Sequence, residues 1–351
     1  MLRETFALLK RAFHLIPNIP WYRGLVRPWL FRFPPEQALR VADRALAIKP
    51  LWRAYAAVHR LPNAQNVPMA GISPRNAVGL AAGLDKQCAY LDSLGCLGFG
   101  YVTGGTVTLH PRAGNPKPRV VRLEEQESLI NALGFPGAGL DAAARWLERL
   151  SDRPAKVLVS IAALEDEDTE VCLRRLEPLV DGLELNISSP NTQGVRKYQE
   201  PPALRTLLER LNATRKKPLF IKLPPYRDGA DDTGRDNVFS LLRVCRETGV
   251  SGVTAINTMP VEDGRLAVGR GGLSGRSILP DMLRIVPELR REAGPDLVIN
   301  ACGGIASAED AAAALDAGAD TVQLYTAMVY RGPGIVHSIV SGLAKRRPAH
   351  G

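Results

Sequence analysis

The sequence lacks the cysteine pattern, the histidine pattern and the long apolar run that mark several common protein classes. Its five cysteines are odd in number, scattered and without a CxxC pair, which argues against a disulfide framework or a structural zinc and favours a reducing compartment. The five histidines show no HxH or HxxxH spacing, so a catalytic metal is not expected. The absence of a GxSxG elbow argues against a serine hydrolase, and the absence of a run of roughly 18 apolar residues argues against a spanning helix.

The composition is that of an ordinary globular protein. Of the 351 residues, 45% are hydrophobic and 23% are charged, which excludes a disordered or fibrous chain. The rule of roughly 150 residues per domain predicts two domains, although an α/β barrel uses about 250 residues as one unit. Length alone therefore leaves both organisations open.

The positive charge is concentrated at the amino end. Residues 1–60 contain eleven Lys or Arg and three acids, which gives +8 of the +9 net charge of the whole chain. Since the remainder is nearly neutral, a nucleic-acid partner is not expected. The same stretch contains Trp21, Trp29 and Trp52, three of the four tryptophans. Basic residues mixed with tryptophan are typical of a segment that lies on an anionic membrane surface.

Prolines divide this amino-terminal stretch into three predicted helices, at residues 5–15, 21–31 and 35–48. We expect residues 1–66 to form a helical arm that associates with a membrane surface. A helical arm packed on the main domain is the alternative, and the two descriptions are compatible. The charged and apolar residues are interleaved, so no signal peptide is predicted.

Eight short apolar runs recur from residue 76 onward, with amphipathic helical patterns between them. Continuous apolar runs are typical of parallel strands that are buried on both faces. Eight such units over about 270 residues predict an α/β fold, a TIM (β/α)8 barrel, for residues 67–351. An open doubly wound sheet is the alternative, but no GxGxxG motif opens the first unit. The predicted strands are 77–82, 98–104, 157–162, 182–187, 219–223, 252–256, 297–301 and 321–325, and the predicted helices include 142–150, 201–211, 238–248 and 308–317.

The residues that follow these runs are mostly polar, and they should meet at one mouth because barrel active sites lie at the carboxyl ends of the strands. Their main charges are Lys86 and Lys222, which predicts a site for a planar, hydrogen-bonding anion rather than a metal. Gly303-Gly304 and Tyr325-Thr326 follow the last two strands, where barrels often bind phosphate. Residues 271–275 are predicted to form a second flexible loop on this rim. A single glycine pair is more often a turn, but this arrangement favours a phosphorylated cofactor.

Eight motifs in a fixed order give the sequence a resemblance to a known family. From about residue 25 to 345 it resembles the class 2, quinone-dependent dihydroorotate dehydrogenases. NISSPNT and GLAAGLDK are highly specific, whereas a GGL or GGI alone would be weak. The motifs are GLAAGLDK (79–86), GTVT (105–108), NISSPNT (186–192), FIKLPP (220–225), INT (256–258), GGLSGR (271–276), CGGI (302–305) and QLYTA (323–327).

The resemblance implies oxidation of (S)-dihydroorotate to orotate in pyrimidine synthesis, with FMN as hydride acceptor and a membrane quinone as final acceptor. It implies that Ser189 is the catalytic base, with Thr192 and a water as its proton path. The loop from Ser188 to about Gln199 would close over the substrate. Implied substrate contacts, which offer amide groups and one lysine to a pyrimidine carboxylate, are Lys86, Asn131, Asn186, Asn191, Asn257 and Thr258.

Further implied roles concern the flavin and the quinone. Lys222 would lie near N1 and the C2 carbonyl of FMN, where negative charge gathers on reduction. Arg122 and Tyr325 match the residues of the quinone tunnel. The resemblance also implies a peripheral protein on the cytoplasmic face of a bacterial inner membrane, with the mitochondrial inner membrane as the alternative. The implied FMN contacts are Ala82, Gly83, Thr106, Asn131, Asn186, Lys222, Thr258, Gly275, Gly304, Tyr325 and Thr326.

Several positions depart from the family pattern. Leu39 stands where a tunnel histidine is usual, and Ser160 where an asparagine usually contacts FMN. Residues 162–164 replace a Gly-Lys-Asn, Pro136 and Gly137 replace an Asn pair, and an acidic residue is replaced near Thr103. Two alternatives stay open: a divergent FMN-dependent barrel acting on another cyclic amide or enoate, and a non-catalytic flavin-binding paralogue. The oligomeric state and the preferred quinone are not predicted.

Overall fold

A computed structural model describes residues 22–62, 66–189, 192, 194–227, 229 and 233–346 of the chain. The predicted helix at 5–15, Trp21 and Asn191 lie outside the described residues. The described amino-terminal part contains a π-helical turn (Tyr22–Val26) and three α-helices, α1 (Arg27–Phe31), α2 (Pro35–Leu46) and α3 (Lys49–Val58). A proline lies in the first turn of each α-helix. Backbone N–H groups in the first turn have no acceptor within the helix, so the N–H that proline lacks is not needed there. The sequence prediction missed α3.

The described residues form two sheets. Their strands are β1 (Val78–Leu80), β2 (Tyr101–Val107), β3 (Val120–Leu123), β4 (Ser128–Asn131), β5 (Lys156–Ala162), β6 (Gly182–Asn186), β7 (Leu219–Lys222), β8 (Gly252–Ala255), β9 (Met259–Glu262), β10 (Arg270–Gly275), β11 (Val298–Cys302) and β12 (Thr321–Leu324).

Eight parallel strands close into a barrel in the order β1-β12-β11-β8-β7-β6-β5-β2. Each of the eight predicted apolar runs overlaps one of these strands, so the predicted barrel is confirmed. Their residues are almost all buried because helices cover the outside while side chains fill the inside.

The remaining helices surround the barrel and place their apolar faces on it. In the helix that follows β6, for example, Leu204, Leu207, Leu208 and Leu211 recur at helical spacing and are buried. These helices are α4 (Leu91–Gly95), α5 (Leu140–Glu148), α6 (Asp166–Leu176), α7 (Pro201–Asn212), α8 (Thr233–Glu247), α9 (Leu279–Ala293), α10 (Ala308–Asp316), α11 (Thr326–Arg331) and α12 (Ile335–Arg346).

The second sheet is antiparallel, has the order β3-β4-β10-β9, and supplies part of the wall of the barrel mouth. The prediction of a flexible loop at 271–275 was wrong, because these residues belong to β10. Gly272 pairs with Asn131 on one side and with Pro260 on the other. A Cβ at Gly271 would lie 2.8 Å from the carbonyl oxygen of Asn131, so glycine here permits close strand pairing rather than mobility.

The opposite end of the barrel is filled by apolar side chains. A short bridge between Met69 and Ile72 precedes β1 and packs against residues at the amino ends of four strands. Because these side chains fill the amino end of the barrel interior, the cavity that contains the predicted site residues opens at the carboxyl end. The members of this floor cluster are Met69, Ile72, Tyr101, Leu158, Phe220 and Val298.

Candidate active site

One cavity at the carboxyl ends of the barrel strands collects nearly all the predicted site residues. Asn191 lies outside the described residues, and Arg122 does not line the cavity. The predicted residues that line it are Ala82, Gly83, Lys86, Thr106, Asn131, Asn186, Ser189, Lys222, Asn257, Thr258, Gly275, Gly304, Tyr325 and Thr326.

The loop after β1 presents Lys86 to the cavity. The buried Asp85 carboxylate holds this loop by accepting hydrogen bonds from the backbone N–H groups of Ala89 (2.9 Å) and Tyr90 (2.7 Å). Burial raises the pKa of Asp85 to about 6. Burial also lowers the pKa of Lys86, while the nearby carboxylates of Asp43 and Asp85 oppose that shift. An anion that enters the cavity would therefore meet a poorly solvated ammonium group.

Thr106, Ser160 and Asn186 are connected on neighbouring strands of the barrel. The Thr106 hydroxyl lies 3.1 Å from the Ser160 hydroxyl, and the Asn186 side-chain amide donates to Thr106 Oγ1 at 3.3 Å. Ser160, which replaces the usual asparagine, is fully buried and does not line the cavity. It therefore supports Thr106 from behind.

Asn257 is oriented by a second set of hydrogen bonds. Its amide nitrogen donates to the Ser188 hydroxyl at 2.9 Å, and its side-chain oxygen accepts from the N–H of Thr258 at 2.8 Å. The N–H of Ser188 in turn donates to the side-chain oxygen of Asn186 at 3.2 Å. These bonds fix which amide atoms face the cavity, which is the arrangement needed to bind a ring with both donors and acceptors.

Ser189 lines the cavity and is only 7% exposed. Nearby in the same loop, the Thr192 hydroxyl is buried and has no hydrogen-bond partner among the described residues. An unpartnered buried hydroxyl is rare, so a bound water or a ligand group is the expected partner. The side chain of Gln199 donates to the carbonyl of Ile187 at 2.9 Å and ties the two ends of the loop together.

The rim that was predicted to hold phosphate contains backbone that only glycine adopts easily. Gly304 has a φ of +77°, and a Cβ there would lie 2.6 Å from the Cβ of Leu279. Thr326 donates to the Ser274 hydroxyl at 2.9 Å. Arg276 also lines the cavity and pairs with Asp310 at 2.9 Å. Sequence reasoning missed Arg276, although it closes the GGLSGR motif.

The donor set fits FMN. The cavity offers hydroxyls, amides and one buried lysine along its inner wall, and a glycine-lined rim with Arg276 at its edge. An isoalloxazine needs such donors along its pyrimidine edge, and a phosphate needs glycine backbone and a cation. Within the described part of the chain, no cluster of His, Cys, Asp and Glu that could hold a metal ion was found.

Arg122 lies on β3 of the second sheet and contacts the arm. It donates to the carbonyls of Phe31 (3.2 Å) and Phe33 (2.8 Å), and its guanidinium lies 4.3 Å from the centre of the Phe31 ring. Burial lowers its pKa. Arg122 thus anchors the end of α1, while Tyr325 lines the cavity.

None of the helices that the structure describes has the length and apolarity to cross a bilayer.

Comparison with known proteins agrees with this geometry. The family model for dihydroorotate dehydrogenase matches residues 65–346. A dihydroorotate dehydrogenase (quinone) from Xanthomonas campestris pv. campestris (strain B100) is 36% identical over 344 residues, which cover 92% of this chain and 96% of the relative. Its counterpart from Roseiflexus sp. (strain RS-1) is 38% identical over 345 residues, with coverage of 92% and 93%.

A solved structure is similar over almost the whole chain. The DHODH of Eimeria tenella in complex with ferulenol superposes with a TM-score of 0.76 at 27% identity, and the match covers 95% of this chain and 93% of that one. Fold, cavity and sequence lead to one assignment. The chain belongs to the dihydroorotate dehydrogenase (quinone) family.

Proposed function

We propose that this protein oxidises (S)-dihydroorotate to orotate in de novo UMP synthesis, with FMN as hydride acceptor and a membrane quinone as final electron acceptor. The observation that carries the proposal is the single cavity that brings Ser189, Lys86 and three of the four predicted asparagines together. When bound, FMN would accept the hydride from C6 of the substrate. The residues that would hold it are the eleven predicted contacts, all of which line the cavity.

The substrate is oriented by charge and by amides. Lys86 neutralises the carboxylate, and desolvation strengthens that interaction. Asn131, Asn186 and Asn257 present donors and acceptors to the pyrimidine edge, and Asn191 is proposed as the fourth. Because hydrogen bonds to Ser188 and Thr258 fix the Asn257 amide, a ring without matching groups would leave buried amides unpaired.

Ser189 removes the proton from C5. Its Oγ takes that proton while its own hydroxyl proton passes to the Thr192 hydroxyl and on to water. The Thr192 hydroxyl supports this path, because it is buried in the same loop and has no hydrogen-bond partner among the described residues. The loop from Ser188 to Gln199 excludes bulk water during the transfer, and the bond between Gln199 and Ile187 holds its base.

The arm brings the protein to its electron acceptor. Residues 1–66 are proposed to form the membrane-associating arm, and residues 67–351 the FMN-binding barrel. In α1 and the turn before it, Leu25 is 72% exposed and Trp29 is 47% exposed, with Arg23, Arg27 and Arg32 interspersed. Exposed apolar side chains beside arginines suit the surface of an anionic bilayer. We place the protein at the cytoplasmic face of a bacterial inner membrane, as a peripheral protein.

Arg122 and Tyr325 are proposed to border the quinone path. Leu39, on α2, leaves that path without the usual histidine. The preferred quinone therefore depends on apolar contacts more than on a hydrogen bond from position 39.

A steady-state assay of the purified protein tests the proposal. With (S)-dihydroorotate and a soluble quinone, orotate should form with saturation kinetics. A flavin-containing protein that forms no orotate, but turns over another cyclic amide or an enoate, would instead favour the divergent barrel. The replacements at Ser160 and Pro136 are the observations that keep this alternative in the test. A flavin-containing protein that oxidises neither substrate would be a binding paralogue.

A further inference from the structure

Glu184 is a buried carboxylate inside the barrel that the proposed mechanism does not use. It lies in β6, is 1% exposed, and does not line the cavity. Its Oε2 accepts a hydrogen bond from the Thr254 hydroxyl at 2.8 Å, whereas its Oε1 is buried without a hydrogen-bond partner among the described residues. Burying a carboxylate is costly unless a positive charge compensates it.

The strand register places that positive charge next to it. Across β6 and β7, Lys222 pairs with Asn186, two residues beyond Glu184 and on the same face of the strand. Across β7 and β8, Lys222 pairs with Thr254, the residue that bonds Glu184. The Glu184–Thr254 bond therefore spans from β6 to β8 inside the barrel, across the strand that carries Lys222.

Lys222 itself faces the cavity and is 6% exposed. Burial lowers its pKa, but the neighbouring Cys302 and Glu184 side chains raise it above the ordinary value. Burial also raises the pKa of the Cys302 thiol, so this thiol is uncharged at neutral pH. Of these two neighbours, Glu184 is the one that carries a carboxylate.

We propose that Glu184 is a positioning residue that acts through Lys222 and weakens the stabilisation of negative charge at N1 and the C2 carbonyl of bound FMN. The inference rests on the proposed function. An uncompensated lysine at this edge would stabilise the reduced flavin. Glu184, which lies inside the barrel next to the lysine, offsets part of that field and would make the reduced form of a bound flavin less favoured, which suits electron transfer to quinone.

Two kinds of substitution separate charge from structure. Glu184→Gln keeps the size of the side chain and an oxygen that accepts from Thr254, but it removes the charge. Glu184→Leu also removes the charge, and apolar replacement of a buried charge is often tolerated in folding. Thr254→Val removes the hydrogen bond and keeps the charge, and Glu184→Asp keeps both a charge and an acceptor.

Sulfite titration of the oxidised, FMN-loaded protein measures the field directly. Sulfite adds through its sulfur lone pair to N5, leaves the added charge on N1 and the C2 carbonyl, and bleaches the flavin. We expect Glu184→Gln and Glu184→Leu to lower the sulfite Kd roughly tenfold, since without the carboxylate the full charge of the Lys222 ammonium acts on the flavin edge through a low effective dielectric. Thr254→Val and Glu184→Asp should stay close to the unsubstituted protein.

A double-mutant cycle tests whether the effect passes through Lys222. In a Lys222→Met background, Glu184→Gln should change the sulfite Kd far less than in the native background. At least one of the Glu184→Gln and Glu184→Leu variants is expected to fold, and an unchanged sulfite Kd in that variant would overturn this inference. An equal shift in Thr254→Val would do the same. The proposed function would stand if the native protein still binds FMN and oxidises dihydroorotate. A protein that binds no FMN would overturn the proposed function as well.

Discussion

The amino-terminal helices and the barrel share part of a buried core but differ in what they expose. The buried apolar side chains of the barrel form one large cluster with two smaller ones beside it, and Leu46 and Tyr55 of the arm belong to the large cluster. The arm also contacts the body through ion pairs between its basic residues and acids of the barrel domain. Those pairs are Arg23 with Glu127 (2.9 Å), Lys49 with Asp92 (2.7 Å) and Arg53 with Asp152 (3.4 Å).

The two regions differ in how many large apolar side chains they expose. Three of the six that are exposed in the described structure, namely Leu25, Trp29 and Ile48, belong to the arm, although the arm is a small part of the chain. The comparison teaches that the two regions divide the work. In the proposed function, the barrel mouth selects the molecule that reacts, and the arm brings the protein to the membrane that holds its electron acceptor.

The largest expected effect is on the rate of flavin reduction, and it should leave membrane binding unchanged. Ser189→Ala should slow reduction of the bound flavin by dihydroorotate roughly 10²- to 10⁴-fold, because it removes the proposed general base. The protein should stay yellow and bind liposomes as before. Stopped-flow absorbance measures the rate, and Ser151→Ala, an exposed serine on the barrel domain, is the control. Unchanged reduction in Ser189→Ala would show that another group takes the proton.

A smaller effect concerns the stability of the barrel mouth. The folded-state pKa of Asp85, about 6, is above its ordinary value of 3.8 because burial disfavours the charge. The contribution of this group to the free energy of unfolding is therefore greatest below about pH 4 and is lost as the pH rises through 6, by roughly 1–3 kcal/mol. Urea unfolding of the native protein and Asp85→Asn across pH 4–8 measures it.

The informative quantity in that experiment is the difference in the free energy of unfolding between the native protein and Asp85→Asn at each pH. The amide that Asp85→Asn introduces cannot ionise, so the native protein should lose stability relative to the variant as the pH rises. A difference that is constant with pH would show that Asp85 keeps an ordinary pKa. Liposome binding should not change as Asp85 titrates, because the arm, and not the barrel mouth, is proposed to contact the membrane.

The smallest effect tests the arm. The double substitution Leu25→Ser with Trp29→Ser should weaken flotation with anionic liposomes about tenfold, since it removes about 1–2 kcal/mol of partial apolar burial in the bilayer surface. Turnover with a soluble quinone should not change. Trp146→Ser with Val171→Ser, which removes exposed apolar side chains from α5 and α6, is the matched control. Equal flotation of the two double variants would refute the membrane-associating arm.

Much of the barrel could be predicted because its signal is local. Each strand is a continuous apolar run, and such a run reports burial on both faces without knowledge of its neighbours. The residues of the mouth followed from the ends of these runs and from the motifs, so Lys86, Asn257 and Thr326 were found although they are far apart in sequence.

The features that the sequence analysis missed depend on contacts between segments that are distant in sequence. The strand β10 is rich in glycine and pairs with β4 about 140 residues earlier, so its sequence alone resembles a loop. Glu184 lies in an apolar run where a single charge would ordinarily point outward to solvent. The Glu184 side chain points inward because the barrel closes. Its proposed role depends on Lys222 and Thr254, which lie on other strands.

Anaerobic addition of one equivalent of (S)-dihydroorotate to the purified protein tests the central claim most directly. The account predicts that the protein carries FMN, that its visible absorbance is bleached with one substrate per flavin, and that orotate is released. A protein that purifies colourless and does not take up added FMN, or a yellow protein that dihydroorotate does not bleach, would contradict it.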